Sequence, residues 1–62
     1  MKLSKRERAV ARLVVRGLSN REIGDKLGIK EGTVKIHMYH ILTKTGMKNR
    51  RQVMLQALRP PH

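Results

Sequence analysis

Few side chains in this chain of 62 residues could perform chemistry. Cysteine is absent, Asp25 is the sole aspartate, and no carboxylate side chain follows Glu31. His37 and His40, three positions apart, could share one face of a helix and bind a metal ion, but a third ligand would have to come from a distant part of the chain. No glycine-rich phosphate loop is present either. We therefore expect neither an enzyme nor a metal or cofactor site.

The strongest chemical signal is positive charge. Fifteen Lys and Arg residues stand against four Asp and Glu residues, which gives a net charge of +11. Such an imbalance favours a polyanionic partner, either nucleic acid or an anionic membrane surface. A basic domain that is merely well solvated is the alternative, although compact domains usually carry a much smaller net charge. Because no apolar run exceeds three residues, a membrane span and a signal peptide are excluded, and we expect a cytoplasmic protein.

Two similar pentamers, LSKRE at residues 3–7 and LSNRE at residues 18–22, mark places where helices begin. In each, a serine precedes a glutamate by three positions, which is the spacing of a capping box. The serine hydroxyl accepts from the glutamate amide, and the glutamate side chain accepts from the serine amide. Asn49 and Gln52 form a third, weaker box. The similarity stops after the glutamate, so the pentamers predict two helix starts rather than a structural repeat.

Glycine and proline residues predict where the helices end. Gly17, Gly28 and Gly46 each follow a helical pattern at the position where helices commonly stop, and Pro60 and Pro61 cannot continue a fourth helix. No segment alternates like a strand. The sequence therefore predicts an all-α fold, a compact four-helix bundle that forms one domain over residues 1–62. The expected helices span about 4–16, 20–27, 31–45 and 50–58, with flexible ends at 1–3 and 59–62.

The connection between the second and third helices is short. Only Gly28, Ile29 and Lys30 separate them, which is typical of a helix-turn-helix. Gly24 would let the two backbones approach closely, and Val34 would fill the angle between the helices. A plain pair of helices in a bundle has the same spacing, so both remain open on spacing alone. The positive charge favours the helix-turn-helix, because that motif serves DNA binding.

The third helix has two different faces. Successive residues of an α-helix are rotated by about 100°, so apolar residues three to four positions apart share one side. We expect this side to be buried, and it carries Val34, Met38, Ile41, Leu42 and Thr45. The opposite side carries Ile36 and Tyr39, the one tyrosine in a chain without Trp or Phe. In a major groove, Ile36 could contact a thymine methyl group and Lys35 could donate to guanine. Tyr39 or His40 could bond to a base edge or to a phosphate.

Several linked motifs resemble one known family over residues 3 to about 57. LS-x-RE, GLSN-x-EI, TVK-x-H followed by I-x-x-K, and the final NR are similar to the LuxR/FixJ-type (GerE-like, NarL-like) DNA-binding domains of bacterial transcription regulators. The resemblance implies a helix-turn-helix that binds double-stranded DNA with its third helix in the major groove. It also implies base contacts for Lys35, Ile36 and Tyr39, beside which His40 is our fourth candidate. The expected phosphate contacts are Asn20, Arg21, Thr33, His37, Lys44, Asn49 and Arg50.

Three positions depart from the family's pattern. Gly24 stands where alanine is usual, which should cost about 1 kcal/mol of helix stability. Lys30 replaces the usual serine, so the third helix loses its N-cap side chain. Thr45 replaces a leucine that usually packs in the core. Tyr39 stands at a position that varies within the family. We therefore do not expect this chain to prefer the same DNA sequence as other members.

The resemblance also implies a homodimer, formed on DNA through the fourth helix. On that helix, Met54 and Ala57 are expected to face the core, because of their spacing. Leu55 lies on another side and is the candidate dimer contact.

Two other functions remain open. A basic helical module could dock RNA polymerase or a partner subunit, and a promoter binder similar to sigma-factor region 4 also contains a helix-turn-helix. Membrane binding is disfavoured, because the apolar faces are needed for the core and Trp and Phe are absent. The chain could be a whole regulator or a part of a longer one.

Overall fold

The computed structural model describes residues 3–56. These residues contain no strand and form four α-helices: α1 (Lys5–Val15), α2 (Asn20–Leu27), α3 (Glu31–Thr45) and α4 (Arg50–Gln56). The all-α prediction and the four helices are therefore confirmed, and the bounds of the middle two are those predicted. The first helix is one residue shorter at each end, because Ser4 and Arg16 are its caps. Residues 57–58 of the fourth predicted helix, Ala57 among them, lie outside the described residues, as do residues 1–2 and 59–62 of the two predicted flexible ends.

Both predicted capping boxes are present. The hydroxyl of Ser4 accepts from the Glu7 amide at 3.1 Å, and Glu7 Oε1 accepts from the Ser4 amide at 2.8 Å. Ser19 and Glu22 form the same pair of hydrogen bonds at the start of α2, at 3.1 and 2.8 Å. Each box satisfies one of the first-turn amides that have no acceptor inside the helix. The helix starts are thus determined by local side chains.

The other two helix starts are capped less completely. Asn49 Oδ1 accepts from the Gln52 amide at 3.0 Å, but Gln52 Oε1 accepts from the Lys48 amide at 2.7 Å instead of returning to Asn49. The third box is therefore half formed. Lys30, the residue before α3, makes no side-chain capping hydrogen bond, as the sequence predicted.

The turn between α2 and α3 depends on two glycines. Gly28 has a φ of +70°, a conformation that glycine adopts without the strain that a Cβ atom brings. A Cβ atom on Gly24 would lie 2.6 Å from the carbonyl oxygen of Ile29, so the close approach predicted for Gly24 is confirmed. Alanine at this position would have to displace a backbone atom, and its better helix propensity is therefore not the whole difference.

The core is built by all four helices. Among the described residues, its buried members are Val10, Leu13, Val14, Ile23, Val34, Met38, Ile41 and Val53. Helix α3 packs against both α1 and α2, which leaves its opposite side exposed to solvent. Leu42 and Met54 are half-buried and pack against this core, so their predicted orientation is confirmed.

The predicted burial of Thr45 was wrong, because Thr45 is exposed at the end of α3. Its hydroxyl donates to the carbonyl of Ile41 at 2.7 Å. Thr45 is the last residue of α3, at the end of the stripe that packs against the core, and its hydroxyl is satisfied by the helix itself. None of the helices in residues 3–56 has the length and apolar character needed to cross a bilayer.

Candidate nucleic-acid interface

The four candidate base-reading residues are all exposed on α3. Ile36 and Tyr39 are large apolar side chains with 57% and 67% of their surface exposed. Lys35 and His40 are exposed beside them, and the rings of Tyr39 and His40 lie 5.8 Å apart. The predicted outward orientation is therefore confirmed. Base reading itself stays a prediction.

The opposite side of α3 explains why these side chains point outward. At most 1% of the surface of Val34 and Ile41 and 7% of that of Met38 is exposed, so this stripe is packed against the rest of the domain. Positions three to four residues apart fall on the same side of a helix. Lys35, Ile36, Tyr39 and His40 lie off this stripe and therefore face solvent.

Arg50 joins the start of α4 to the start of α2. Its guanidinium donates to the side-chain oxygen of Asn20 and to the backbone carbonyl of Leu18. Two predicted phosphate-binding residues, Asn20 and Arg50, are thus brought together, but they bond to each other. Sequence reasoning missed this structural role of Arg50. Arg21 and Asn49, also predicted to bind phosphate, are exposed close by in the sequence.

Glu7 does more than cap α1. Only 4% of its surface is exposed, yet Lys44 Nζ lies 2.7 Å from its Oε1 and His40 Nδ1 lies 3.6 Å from its Oε2. The hydrogen bond from Lys44 and that from the Ser4 amide lower the pKa of Glu7 to about 2. Glu7 is therefore ionised at neutral pH, and it binds a cation that the sequence predicted to bind phosphate.

The sequence carries one signal of this pairing. Because no acidic side chain follows Glu31, a cation in the second half of the chain that pairs with an acidic side chain must take one of the four in the first half. That constraint shortens the choice of partners but does not select Glu7. Glu7 becomes the partner of Lys44 because α1 packs against α3.

Thr33 and His37 are half-buried on α3. The Nδ1 atom of His37 is buried and has no hydrogen-bond partner among the described residues. No group of three or more His, Cys, Asp or Glu side chains in residues 3–56 is placed to hold a metal ion. The phosphate roles of Thr33 and His37 stay predictions.

Comparison with known proteins gives the family. The family model for bacterial regulatory proteins of the luxR family matches residues 1–57. The chain is 51% identical over 59 residues to the two-component response regulator PprB of Pseudomonas aeruginosa, an alignment that covers 95% of this chain and 21% of the relative. It is 40% identical over 57 residues to the oxygen regulatory protein NreC of Staphylococcus aureus, covering 92% of this chain and 26% of the relative.

The chain thus spans between 21% and 26% of the length of these relatives. The family model covers nearly the whole chain. Its match therefore includes the residues of the sequence motifs and both helices of the helix-turn-helix, α2 and α3. The chain belongs to the luxR family of bacterial regulatory proteins.

Proposed function

We propose that this domain binds double-stranded DNA sequence-specifically, as part of a bacterial transcription regulator, with α3 in the major groove. The observation that carries the proposal is the exposure of an isoleucine and a tyrosine on the outer face of α3 in a luxR-family domain. An exposed apolar side chain gains little in water, whereas in a major groove it can contact a thymine methyl group. The net charge of +11 supplies attraction to phosphates of any sequence.

The base-reading role falls to the outer face of α3. Lys35 can donate to guanine O6 and N7, and Ile36 offers apolar contact to thymine. Tyr39 and His40, farther along the same helix, can each form a hydrogen bond to a base edge or to a phosphate. All four are exposed, so no rearrangement of the core is required for them to reach DNA.

Phosphate contacts would position the domain along the duplex without reading its sequence. Arg21 and Asn49 are exposed and can reach a phosphate directly. The Asn20–Arg50 pair can contribute its remaining donors, since a guanidinium has five N–H groups and Arg50 uses only two of them in hydrogen bonds with residues 3–56. Thr33 and His37, which are half-buried on α3, complete the proposed set. Lys44 is left out of it, because the carboxylate of Glu7 already balances the charge of its ammonium, whereas the partners of Arg50 are neutral.

We also propose that two copies bind side by side on DNA through α4. The supporting observation is Leu55, which is 51% exposed although it is a large apolar residue on a helix whose other side packs against the core. A homodimer contact would remove this side chain from water.

Selection of bound sequences from a pool of random duplexes tests the proposed function. The purified domain should enrich a recognisable motif, and it should bind a selected duplex at least about tenfold more tightly than a random one of equal length. The same selection with Ile36→Glu is the control, because this variant replaces the apolar contact with a negative charge in a groove flanked by phosphates and should lose the motif. A pool without enrichment, or equal affinity for selected and random duplexes, would contradict the proposal and favour a protein-docking module.

A further inference from the structure

The two capping boxes are alike in geometry and different in surroundings. Ser4 with Glu7 and Ser19 with Glu22 make the same hydrogen bonds at the same distances. Glu22 is exposed and forms no salt bridge within residues 3–56. Glu7 is buried, and the ammonium of Lys44 lies against it. The chain therefore contains one capping carboxylate that binds a cation of α3, and a second that serves as its internal control.

The Glu7–Lys44 contact crosses from the first turn of α1 to the last turn of α3. It joins residues 37 positions apart, with 2.7 Å between Lys44 Nζ and Glu7 Oε1. The second carboxylate oxygen lies 3.6 Å from Nδ1 of His40, a candidate base-reading residue one turn earlier on α3. Glu7 thus contacts the same helix that we propose to lie in the major groove.

A cation on such a helix affects specificity as well as affinity. Each Lys or Arg that neutralises a phosphate releases a counterion and strengthens binding to DNA of any sequence. Specificity is the ratio between binding to the preferred site and binding to other DNA, so a further sequence-independent contact adds affinity without adding discrimination. In a chain with 15 Lys and Arg residues, this indiscriminate part of the affinity is large.

We propose that Glu7 is a specificity-determining residue for DNA binding, because it holds Lys44 and thereby keeps this cation from contacting phosphate. This inference rests on the proposed function. Glu7 itself does not touch DNA, and it acts through Lys44. The proposal differs from a purely structural role, in which loss of Glu7 would weaken binding to all DNA by destabilising the fold.

The first test compares Glu7→Gln with Glu22→Gln. Both variants remove one negative charge from a capping box, and glutamine is also accepted at this position of the box. Binding to a selected and to a random duplex is titrated at several salt concentrations. Glu7→Gln should tighten binding to the random duplex by about threefold or more at low salt and increase the salt slope by about one, which reduces discrimination. Glu22→Gln should leave the slope unchanged, because it releases no paired lysine.

The double variant Glu7→Gln/Lys44→Gln is the second test. It keeps the net charge of the wild type and leaves no buried charge without a partner, so it does not depend on whether Glu7→Gln folds. If Lys44 is held by Glu7 in the wild type, the double variant should match the wild type in affinity for the random duplex and in salt slope. A slope smaller by about one would show that Lys44 contacts phosphate in the wild-type complex, and would overturn the proposal.

The outcomes also separate this inference from the proposed function. A wild-type domain that binds selected and random duplexes equally refutes both. A wild type that discriminates, with Glu7→Gln and Glu22→Gln alike in random-duplex affinity and slope, refutes the role of Glu7 alone.

Discussion

The guanidinium of Arg50 and the side-chain oxygen of Asn20 form a hydrogen bond between the first residue of α4 and the first residue of α2. The same guanidinium donates to the carbonyl of Leu18, the residue before the N-cap Ser19 of α2. Helix α2 is the first helix of the helix-turn-helix. Arg50 therefore fixes the position of this motif relative to the helix that we propose to form the dimer.

Arg50→Ala should destabilise the fold as well as weaken DNA binding. Two hydrogen bonds to a charged donor are lost at a half-buried site, and we expect the free energy of unfolding to fall by about 1–3 kcal/mol. Arg51→Ala, which removes the same charge from an exposed position, is the control. Thermal unfolding of the two variants decides the matter. Equal midpoints would mean that the contacts of Arg50 contribute nothing to stability.

Acid should destabilise this domain partly through Glu7. The pKa of Glu7 is about 2 in the folded domain, whereas a glutamate without these contacts, as in the unfolded chain, has a pKa of about 4.5. Between these pH values the unfolded chain therefore binds more protons than the folded domain. The stability from Glu7 is present above about pH 4.5 and is lost as the pH falls toward 2. Glu7→Gln should therefore flatten the dependence of unfolding free energy on pH in this window.

Glu22→Gln is the matched control for this experiment. The pKa of Glu22 is also lowered, by the hydrogen bonds from Ser19, but no cation contributes to the shift. We expect its removal to flatten the profile less than removal of Glu7. Denaturant unfolding between about pH 2 and pH 6 measures both, and identical profiles would contradict the contribution of Lys44.

Lys30→Ser should stabilise α3. Lys30 is the N-cap residue and makes no side-chain hydrogen bond, whereas a serine hydroxyl at that position accepts from a first-turn amide. The expected gain is about 0.5–2 kcal/mol relative to Lys30→Ala, which removes the same charge without adding an acceptor. Chemical unfolding of the pair measures it. If serine and alanine give the same stability, the start of α3 needs no cap.

Leu55→Asp should disrupt pairing on DNA and spare the single domain. Leu55 is half-exposed, so a charge there should not disturb the core. Cooperative binding to a duplex with two half-sites should weaken, while binding to one half-site should stay intact. Leu55→Asn repeats the test without adding negative charge near DNA. Equal loss on both duplexes would place Leu55 outside the dimer contact.

The helices could be predicted from the sequence because their starts and stops are local. The hydroxyl of Ser4 and the side chain of Glu7 determine the start of α1 within four residues of chain, and Gly28 determines the turn after α2 through its own backbone. The exposed face of α3 followed from periodicity for a similar reason. Such features need no knowledge of what packs against them.

The partners of Arg50 and Lys44 could not be predicted in this way. Lys44 and Glu7 are 37 residues apart, and Arg50 and Leu18 are 32 residues apart, so only the packed helices bring them together. A basic residue in a sequence looks the same whether it is free for DNA or bound within the domain. For that reason, two of the basic residues predicted to contact phosphate, Lys44 and Arg50, proved to have partners inside the fold.

The most direct test of base reading by α3 compares one proposed reading residue with one proposed phosphate-binding residue. Lys35→Ala and Arg21→Ala each remove one positive charge from an exposed position. Lys35→Ala should cost about 1–3 kcal/mol on the selected duplex and much less on a random duplex. Arg21→Ala should weaken binding to both duplexes similarly and reduce the salt slope by about one. If the two variants instead give matching curves on both duplexes at every salt concentration, the cations act only as diffuse charge and α3 does not read the sequence through Lys35.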